Sequence, residues 1–135
     1  MVAEGNVDNI VFDAFFADRR GTGVFVEVGA ARPDYLSISA RFRAAGWKVL
    51  AIEPNPDFCS AHRAAGYDVL EYTCSDTKSD NVEFFVVDSK GAEYLGGHVS
   101  FESFSSLGLK DQFAELYKKV AASTVLRKIG VKVRA

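Results

Sequence analysis

The chain has 135 residues, of which 48% are hydrophobic and 25% are charged, and its formal net charge at pH 7 is −2. These values are ordinary for one globular domain and exclude a strongly basic nucleic-acid-binding protein. Neither a secretory signal nor an apolar run near the roughly 20 residues of a membrane span is present, so we expect a cytoplasmic protein. We also expect no metal site, because the two cysteines have no metal or redox spacing; buried thiols are favoured over a single Cys59–Cys74 bridge.

Residues 1–23 are predicted to form an amphipathic helix followed by a turn-rich connector. Apolar residues recur at helical spacing, and Asn6 is placed to cap the helix. The apolar positions are Val7, Ile10, Val11, Ala14 and Phe15.

Residues 24–76 are predicted to form the core of the domain, three strands joined by two helices. Val24–Val28 is continuously apolar apart from one acid, which is typical of a parallel strand covered on both faces. The next helix is predicted over Asp34–Ala45 and ends at Gly46, a residue suited to the left-handed C′ position. The second strand is predicted over Trp47–Ile52.

The second half of this core repeats the pattern of the first half. Asn55 and Pro56 are typical of the start of a helix, Gly66 ends it, and Tyr67–Cys74 is predicted to be the third strand. The segments 43–50 and 63–70 match at a 20-residue offset. Because a solenoid needs at least three repeats, we interpret the match as two similar helix-to-strand junctions in one right-handed βαβαβ sheet.

Residues 77–135 are predicted to add a strand, a long loop, a helix and the start of a further strand. Val82–Val87 is the strand, antiparallel or at an edge, and Asp88–Leu107 is the irregular loop that contains His98. The helix carries Leu109, Phe113, Leu116 and Val120 and is predicted to end near Gly130, where Val131–Arg134 begins the last strand. We expect an α/β sheet that is incomplete at its C-terminal end, and a chain that alone is marginally stable or self-associates.

Two acids mark the carboxyl ends of the first two predicted strands. Glu27 and Glu53 lie 26 positions apart, about one βαβ crossover, and ligands bind at the carboxyl ends of strands in open α/β sheets. Glu53 is where a carboxylate accepts hydrogen bonds from ribose hydroxyls. Glu27 suits a ligand ammonium group, and the backbone at Gly29 and Ala30 allows close approach of that ligand.

Asp76, or the backbone around Ser75, lies at the end of the third predicted strand, within reach of an adenine amino group. An amine, a ribose and an adenine together describe S-adenosylmethionine. A dinucleotide-dependent oxidoreductase is disfavoured, because residues 29–34 contain one glycine instead of the Gly-x-Gly-x-x-Gly pattern. The structural alternative is that Glu27 caps a helix or pairs with a cation and that Gly29 forms a plain tight turn. His62 and His98 are interpreted as core or surface histidines.

The segment Phe25-Val-Glu-Val-Gly-Ala followed by Ile52-Glu-Pro-Asn-Pro resembles the FkbM family of S-adenosylmethionine-dependent methyltransferases. The similarity covers about Val24–Asp76. It implies a three-layer, Rossmann-like class I methyltransferase sheet and methylation of a hydroxyl oxygen on a small molecule or glycan. The implied cofactor contacts are Glu27, Gly29 and Ala30 at the methionine end, Glu53 on the ribose, Pro54 and Asn55 lining the adenine pocket, and Ser75 and Asp76 on the adenine.

Two departures from the family pattern limit what the resemblance implies. Pro33 stands where the family has a second glycine, so no role is carried over to residues 31–34. No Asp-x-Glu-Gly motif follows Asp76, so no catalytic residue is assigned, and the resemblance implies that this chain is the cofactor-binding front part of a longer enzyme. The alternative is a non-catalytic Rossmann-like binding or assembly module.

Overall fold

The computed structural model describes residues 3–88, 93–94, 97–98 and 125–134. The chain is a mixed α/β protein, as predicted, and it divides into two compact units. The first comprises Met1–Asp76 with Arg134–Ala135, and the second comprises Thr77–Val133. Across the part of the chain that the structure describes, every helix is too short or too polar to cross a bilayer.

The first unit contains a parallel sheet of three strands in the order β1 (Val24–Val28), β2 (Lys48–Ile52) and β3 (Asp68–Leu70), which confirms the predicted half-sheet. Val24 pairs with Lys48 and Val28 with Ile52, so the carboxyl ends of the first two strands coincide. After a short 3₁₀ turn, the elements of this unit are α1 (Val7–Phe15), β1 (Val24–Val28), α2 (Ala40–Ala44), β2 (Lys48–Ile52), α3 (Pro56–Ala64), β3 (Asp68–Leu70) and β4 (Thr73–Cys74).

The predicted third strand is broken after Leu70. The Tyr72 N–H donates to the Leu70 carbonyl at 3.1 Å, and this three-residue turn takes the chain out of the parallel ladder. Thr73 and Cys74 then form the separate strand β4. The continuous strand over Tyr67–Cys74 is therefore wrong beyond Leu70.

Helix α2 begins at Ala40, six residues later than the predicted start at Asp34. Leu36 has a φ of +52°, a left-handed conformation that an α-helix cannot contain. The segment before Ala40 instead places backbone N–H groups of Ile38 and Ser39 on the Glu27 carboxylate. The predicted start of this helix at Asp34 is therefore wrong.

Helix α1 has the predicted extent but buries a different face. Phe12 is buried and its ring lies 5.3 Å from that of Phe42 in an edge-to-face arrangement, whereas Phe15, predicted to face the core, is 75% exposed. Asp8 is also buried, and the Ala3 N–H donates to its carboxylate at 3.3 Å. Asn6 stands at the N-cap position, but its side chain bonds to Asn9 rather than to a backbone N–H, so its predicted capping bond is wrong.

The two helix-to-strand junctions are confirmed. Gly46 and Gly66 have φ values of +81° and +74°, which favour glycine. Trp47 N–H donates to the Phe42 carbonyl at 3.0 Å, and Tyr67 N–H to the His62 carbonyl at 2.9 Å. With the Gly46–Arg43 and Gly66–Arg63 bonds, these contacts form two Schellman motifs, so the 20-residue echo is a repeated helix stop.

The core of the first unit lies on one face of the sheet, where Phe12, Phe42 and Val49 pack with Phe25 and Trp47. The other face is open along β1: its three valines, Val24, Val26 and Val28, are 63%, 54% and 63% exposed. Because both crossovers run in one direction with one hand, α2 and α3 cover the same face. The prediction that β1 is buried on both faces is wrong for the part of the chain described.

The second unit contains β5 (Ser79–Asp88) and all but the last residue of β8 (Val125–Arg134), and these strands pair antiparallel, as predicted for the fourth strand. Phe84, Val86 and Val131 form its buried cluster. Since β8 already begins at Val125, the helix predicted to end near Gly130 and the strand predicted to begin at Val131 are wrong there.

Two short strands, β6 (Glu93–Tyr94) and β7 (Gly97–His98), form a ladder inside the segment predicted as an irregular loop. His98 therefore lies in a strand. The helix predicted over residues 109–120 falls outside the described residues.

Candidate functional site

Two buried carboxylates lie at the carboxyl ends of β1 and β2. Glu27 is the second-last residue of β1, and Glu53 directly follows β2. Their exposures are 8% and 5%, and burial, with a smaller contribution from the charge of Glu27, raises the pKa of Glu53. The structure therefore brings these two predicted site residues together, away from water.

The Glu53 carboxylate is held by two backbone hydrogen bonds. Its Oε2 accepts from the Ala31 N–H and its Oε1 from the Asn55 N–H, both at 2.8 Å. Burial raises the pKa of Glu53, and these two bonds oppose that shift by stabilising the charged form. Each oxygen keeps a second lone pair, so a fixed carboxylate of this kind can still accept from a ligand diol.

The Glu27 carboxylate is bonded on one side only. Burial raises its pKa, whereas hydrogen bonds from the Ser39 side chain and from the backbone N–H groups of Ile38 and Ser39, together with the charge of Arg43, lower it. Its Oε2 has no hydrogen-bond partner among the described residues. Glu27 therefore holds the turn before α2, close to the structural alternative foreseen for it, and retains one acceptor for a donor such as an ammonium group.

Arg43 and Ser39 form a polar link behind Glu27. Arg43 Nη1 donates to Ser39 Oγ at 2.7 Å, and the guanidinium carbon lies 4.2 Å from the centre of the Tyr67 ring. Burial lowers the pKa of Arg43, whereas the charge of Glu27 raises it. Sequence reasoning missed both residues; the Ser39–Arg43 spacing of four on the helix is the signal that was available.

The turn after β1 brings the backbone close to Glu53. Gly29 has a φ of +72°, is exposed, and a Cβ built on it meets nothing within 4 Å, so its backbone faces open space. Ala30 is buried, and its N–H approaches the Ile52 carbonyl at 3.4 Å. Ala31 also has a positive φ, +49°, and its N–H donates to Glu53.

Three side chains, one at the N-cap of α3 and two within the helix, form hydrogen bonds that fix the backbone of the site. Asn55 Oδ1 accepts the Asp57 N–H at 3.0 Å, so Asn55 caps the helix as predicted. The Cys59 thiol donates to the Glu53 carbonyl at 3.0 Å, and burial raises the pKa of Cys59 to about 12, which keeps it protonated. The third side chain, His62, has its Nε2 3.0 Å from the Ala31 carbonyl. The sequence did not predict these roles of Cys59 and His62, because the two residues lie one turn apart in a helix and match no functional motif.

The remaining predicted site residues lie at different places. Pro54 is half-buried between Glu53 and Asn55. Ser75 and Asp76 are exposed and follow β4 rather than β3; the Ser75 hydroxyl donates to Asp76 at 3.1 Å and its N–H to the Arg134 carbonyl at 3.0 Å. Pro54 and the five other predicted residues lie in or directly after the carboxyl ends of β1 and β2: Glu27, Gly29, Ala30, Glu53 and Asn55.

Both cysteines are free, which excludes the bridge considered as the alternative. Cys59 is buried as predicted, but Cys74 is exposed. In the described ranges, no group of three or more His, Cys, Asp or Glu side chains is arranged to hold a metal ion.

Comparison of the chain with protein-family models, with curated proteins and with solved structures finds no match.

Proposed function

We propose that this chain binds S-adenosylmethionine at the carboxyl ends of β1 and β2, as the cofactor-binding part of a methyltransferase with a Rossmann-like class I sheet. The observation that carries the proposal is the buried Glu53 carboxylate, with each oxygen oriented by a backbone N–H at 2.8 Å. A carboxylate at the end of the second parallel strand, held in one orientation, suits a cis-diol such as ribose.

The neighbouring groups suit the methionine end of the same ligand. Glu27 keeps an oxygen without a partner among the described residues, and a ligand ammonium group would supply both the missing donor and a compensating charge. The open backbone at Gly29 would allow the ligand chain to pass between the two carboxylates. Arg43, beside Glu27, is suited to the ligand carboxylate.

Pro54, Asn55, Ser75 and Asp76 are proposed for the adenine end on the FkbM resemblance. Asn55 uses its Oδ1 as a helix cap, so its contribution there would come from its amide nitrogen and from the fixed backbone of the segment. The proposed acceptor is a hydroxyl group of a small molecule or glycan in the cytoplasm. Its methylation requires in-line positioning of the oxygen and the methyl carbon more than acid–base power.

Calorimetric titration of the full chain with S-adenosylhomocysteine tests the proposal. Glu53→Ala should abolish binding, because it removes the diol acceptor. Glu71→Ala is the matched control: this acid follows β3, is exposed, and pairs with Arg63 at 2.9 Å. Equal affinity in wild type and Glu53→Ala would overturn the assignment of the ribose site.

A second candidate, a non-catalytic assembly module, is favoured by one observation. The three valines on the open face of β1 are all more than half exposed, and apolar surface of this kind promotes association. Sedimentation velocity over a range of concentrations should then show a self-associating chain, and Val26→Lys should shift it toward monomer. A concentration-independent monomer with high affinity for S-adenosylhomocysteine would favour the first candidate alone.

A further inference from the structure

We propose that His62 is a positioning residue for the ligand site: its neutral imidazole holds the Ala31 carbonyl and thereby directs the Ala31 N–H to the Glu53 carboxylate. The proposal depends on the proposed function only for its effect on ligand affinity; the structural effect on the turn is independent of any ligand.

The contacts of His62 define its protonation state. The ring is fully buried, and Nε2 lies 3.0 Å from the Ala31 carbonyl oxygen, which can only accept a hydrogen bond. Nε2 must therefore carry the proton. Nδ1 is buried with no hydrogen-bond partner among the described residues, so a second proton there would have no acceptor. The structure consequently requires the neutral Nε2–H tautomer.

The hydrogen bond from His62 stabilises an unfavourable backbone conformation at Ala31. Ala31 has a φ of +49°, a left-handed conformation that its Cβ disfavours. His62 bonds the carbonyl of this residue while Glu53 bonds its N–H at 2.8 Å, so one residue is held from both sides. Without the imidazole, Ala31 can relax, and Glu53 loses one of the two bonds that orient it.

The surroundings of His62 disfavour the charged ring. Burial lowers the pKa of His62, the bond to Ala31 raises it, and the charge of Arg43 on α2 lowers it. The Tyr67 ring, before β3, packs edge-on with a centroid distance of 6.4 Å. Of the two site carboxylates, Glu53 accepts from the Ala31 N–H, and Glu27 interacts with Arg43. Protonation of His62 would leave the Nε2–H bond in place but would bury a charge near Arg43 and an Nδ1 proton without an acceptor, so acidification should destabilise the packing of α3 beneath the turn.

The internal repeat supplies the matched substitution. Phe42 occupies the position in α2 that His62 occupies in α3, so a phenyl ring is compatible with this helix stop. His62→Phe keeps the bulk and removes the donor, whereas His62→Gln places an amide N–H near the position of Nε2 without a group that titrates. Arg63→Gln, on the next, exposed position of α3, is the control.

The first experiment uses the full chain without ligand. Nitrogen-15 shifts of the imidazole should show a protonated Nε2 and a bare Nδ1 at neutral pH, and the Ala31 amide should exchange slowly with solvent. His62→Phe should speed this exchange about tenfold, as expected for the loss of one buried hydrogen bond, with rescue by His62→Gln and no change in Arg63→Gln. An Nδ1–H tautomer in wild type, or an unchanged exchange rate of the Ala31 amide in His62→Phe, would overturn the proposal. If His62→Phe does not fold, the tautomer of wild type and the Ala31 exchange rate in His62→Gln provide the test.

The second experiment separates positioning from simple packing. In an Ala31→Gly background the left-handed conformation no longer needs to be enforced, so the effect of His62→Phe on Glu53-dependent affinity for S-adenosylhomocysteine should shrink from about tenfold toward none. An equal effect in both backgrounds would contradict positioning. If wild type does not bind S-adenosylhomocysteine, the proposed function fails, whereas the amide-exchange result still decides the role of His62.

Discussion

Glu53→Ala should destabilise the first unit strongly, because it removes a buried carboxylate that is bonded to two backbone N–H groups. The substitution leaves the N–H groups of Ala31 and Asn55 without the acceptors that now lie at 2.8 Å. Each buried, unpaired donor costs about 1–3 kcal/mol, or about 2–6 kcal/mol for both. Removal of a buried carboxylate whose pKa is raised by burial offsets part of this cost. We expect a net loss of about 2–3 kcal/mol in the free energy of unfolding.

Urea denaturation at pH 7 measures this loss, and the chain offers a convenient probe. Trp47 is the single tryptophan and packs in the core of the first unit, so its fluorescence reports that unit. Glu71→Ala is the control, because it removes only an exposed ion pair with Arg63, worth about 0–1 kcal/mol. Equal stability of the two variants would refute the argument that Glu53 is tied to the backbone on both sides.

Burial and charge in the first unit also determine the effect of substituting Phe42, the reactivity of the two cysteines and the pH dependence of stability. Phe42→Ala should lower the free energy of unfolding by about 3–5 kcal/mol in urea denaturation, whereas Phe15→Ala should change it by less than about 0.5 kcal/mol, and equal losses would contradict the packing described. Iodoacetamide should label the exposed Cys74 well before the buried Cys59, whose pKa is raised to about 12, as mass spectrometry of digests would show; equal labelling would contradict this. Because the folded-state pKa of His62 lies below its ordinary value of 6.5, its stabilisation is complete above pH 6.5 and is lost as the pH falls toward the folded-state pKa. Urea titrations should therefore show wild type losing more stability than His62→Gln on acidification, by at most about 1.4 kcal/mol per pH unit, and parallel curves would contradict the burial of a neutral ring.

The order of elements in the first unit was predictable because it depends on local signals. Gly46 and Gly66 stop the helices in the left-handed conformation, and Asn55 with Pro56 starts α3. These signals act over a few residues, so a single sequence contains them. The parallel order of the three strands then follows from the length and hand of the crossovers.

Tertiary contacts account for the errors. The start of α2 depends on hydrogen bonds from the backbone N–H groups before Ala40 to Glu27. The buried face of α1 depends on packing of Phe12 against Phe42. Local periodicity predicts neither contact. The wrong prediction for the second face of β1 has a similar cause, since a run of valines predicts a buried strand whether or not another element covers it.

The sequence predicted the two acidic residues of the candidate site but not the residues of α3 that fix its backbone. Glu27 and Glu53 stood out because an acid at a strand end is rare in an apolar run. The roles of Cys59 and His62 could not be predicted, because both side chains act through hydrogen bonds to backbone carbonyls. These bonds form only when α3 packs against the strand ends. Any buried polar side chain can make such a bond, so residue type alone does not reveal it.

Titration of the isotope-labelled full chain with S-adenosylhomocysteine, and separately with NAD, tests the central claim most directly. We expect saturable binding of S-adenosylhomocysteine, with shifts of the Gly29 and Ala31 amide signals that vanish in Glu53→Ala, and no such shifts with NAD. Unchanged amides at millimolar S-adenosylhomocysteine, or equal binding of NAD at the same residues, would contradict it.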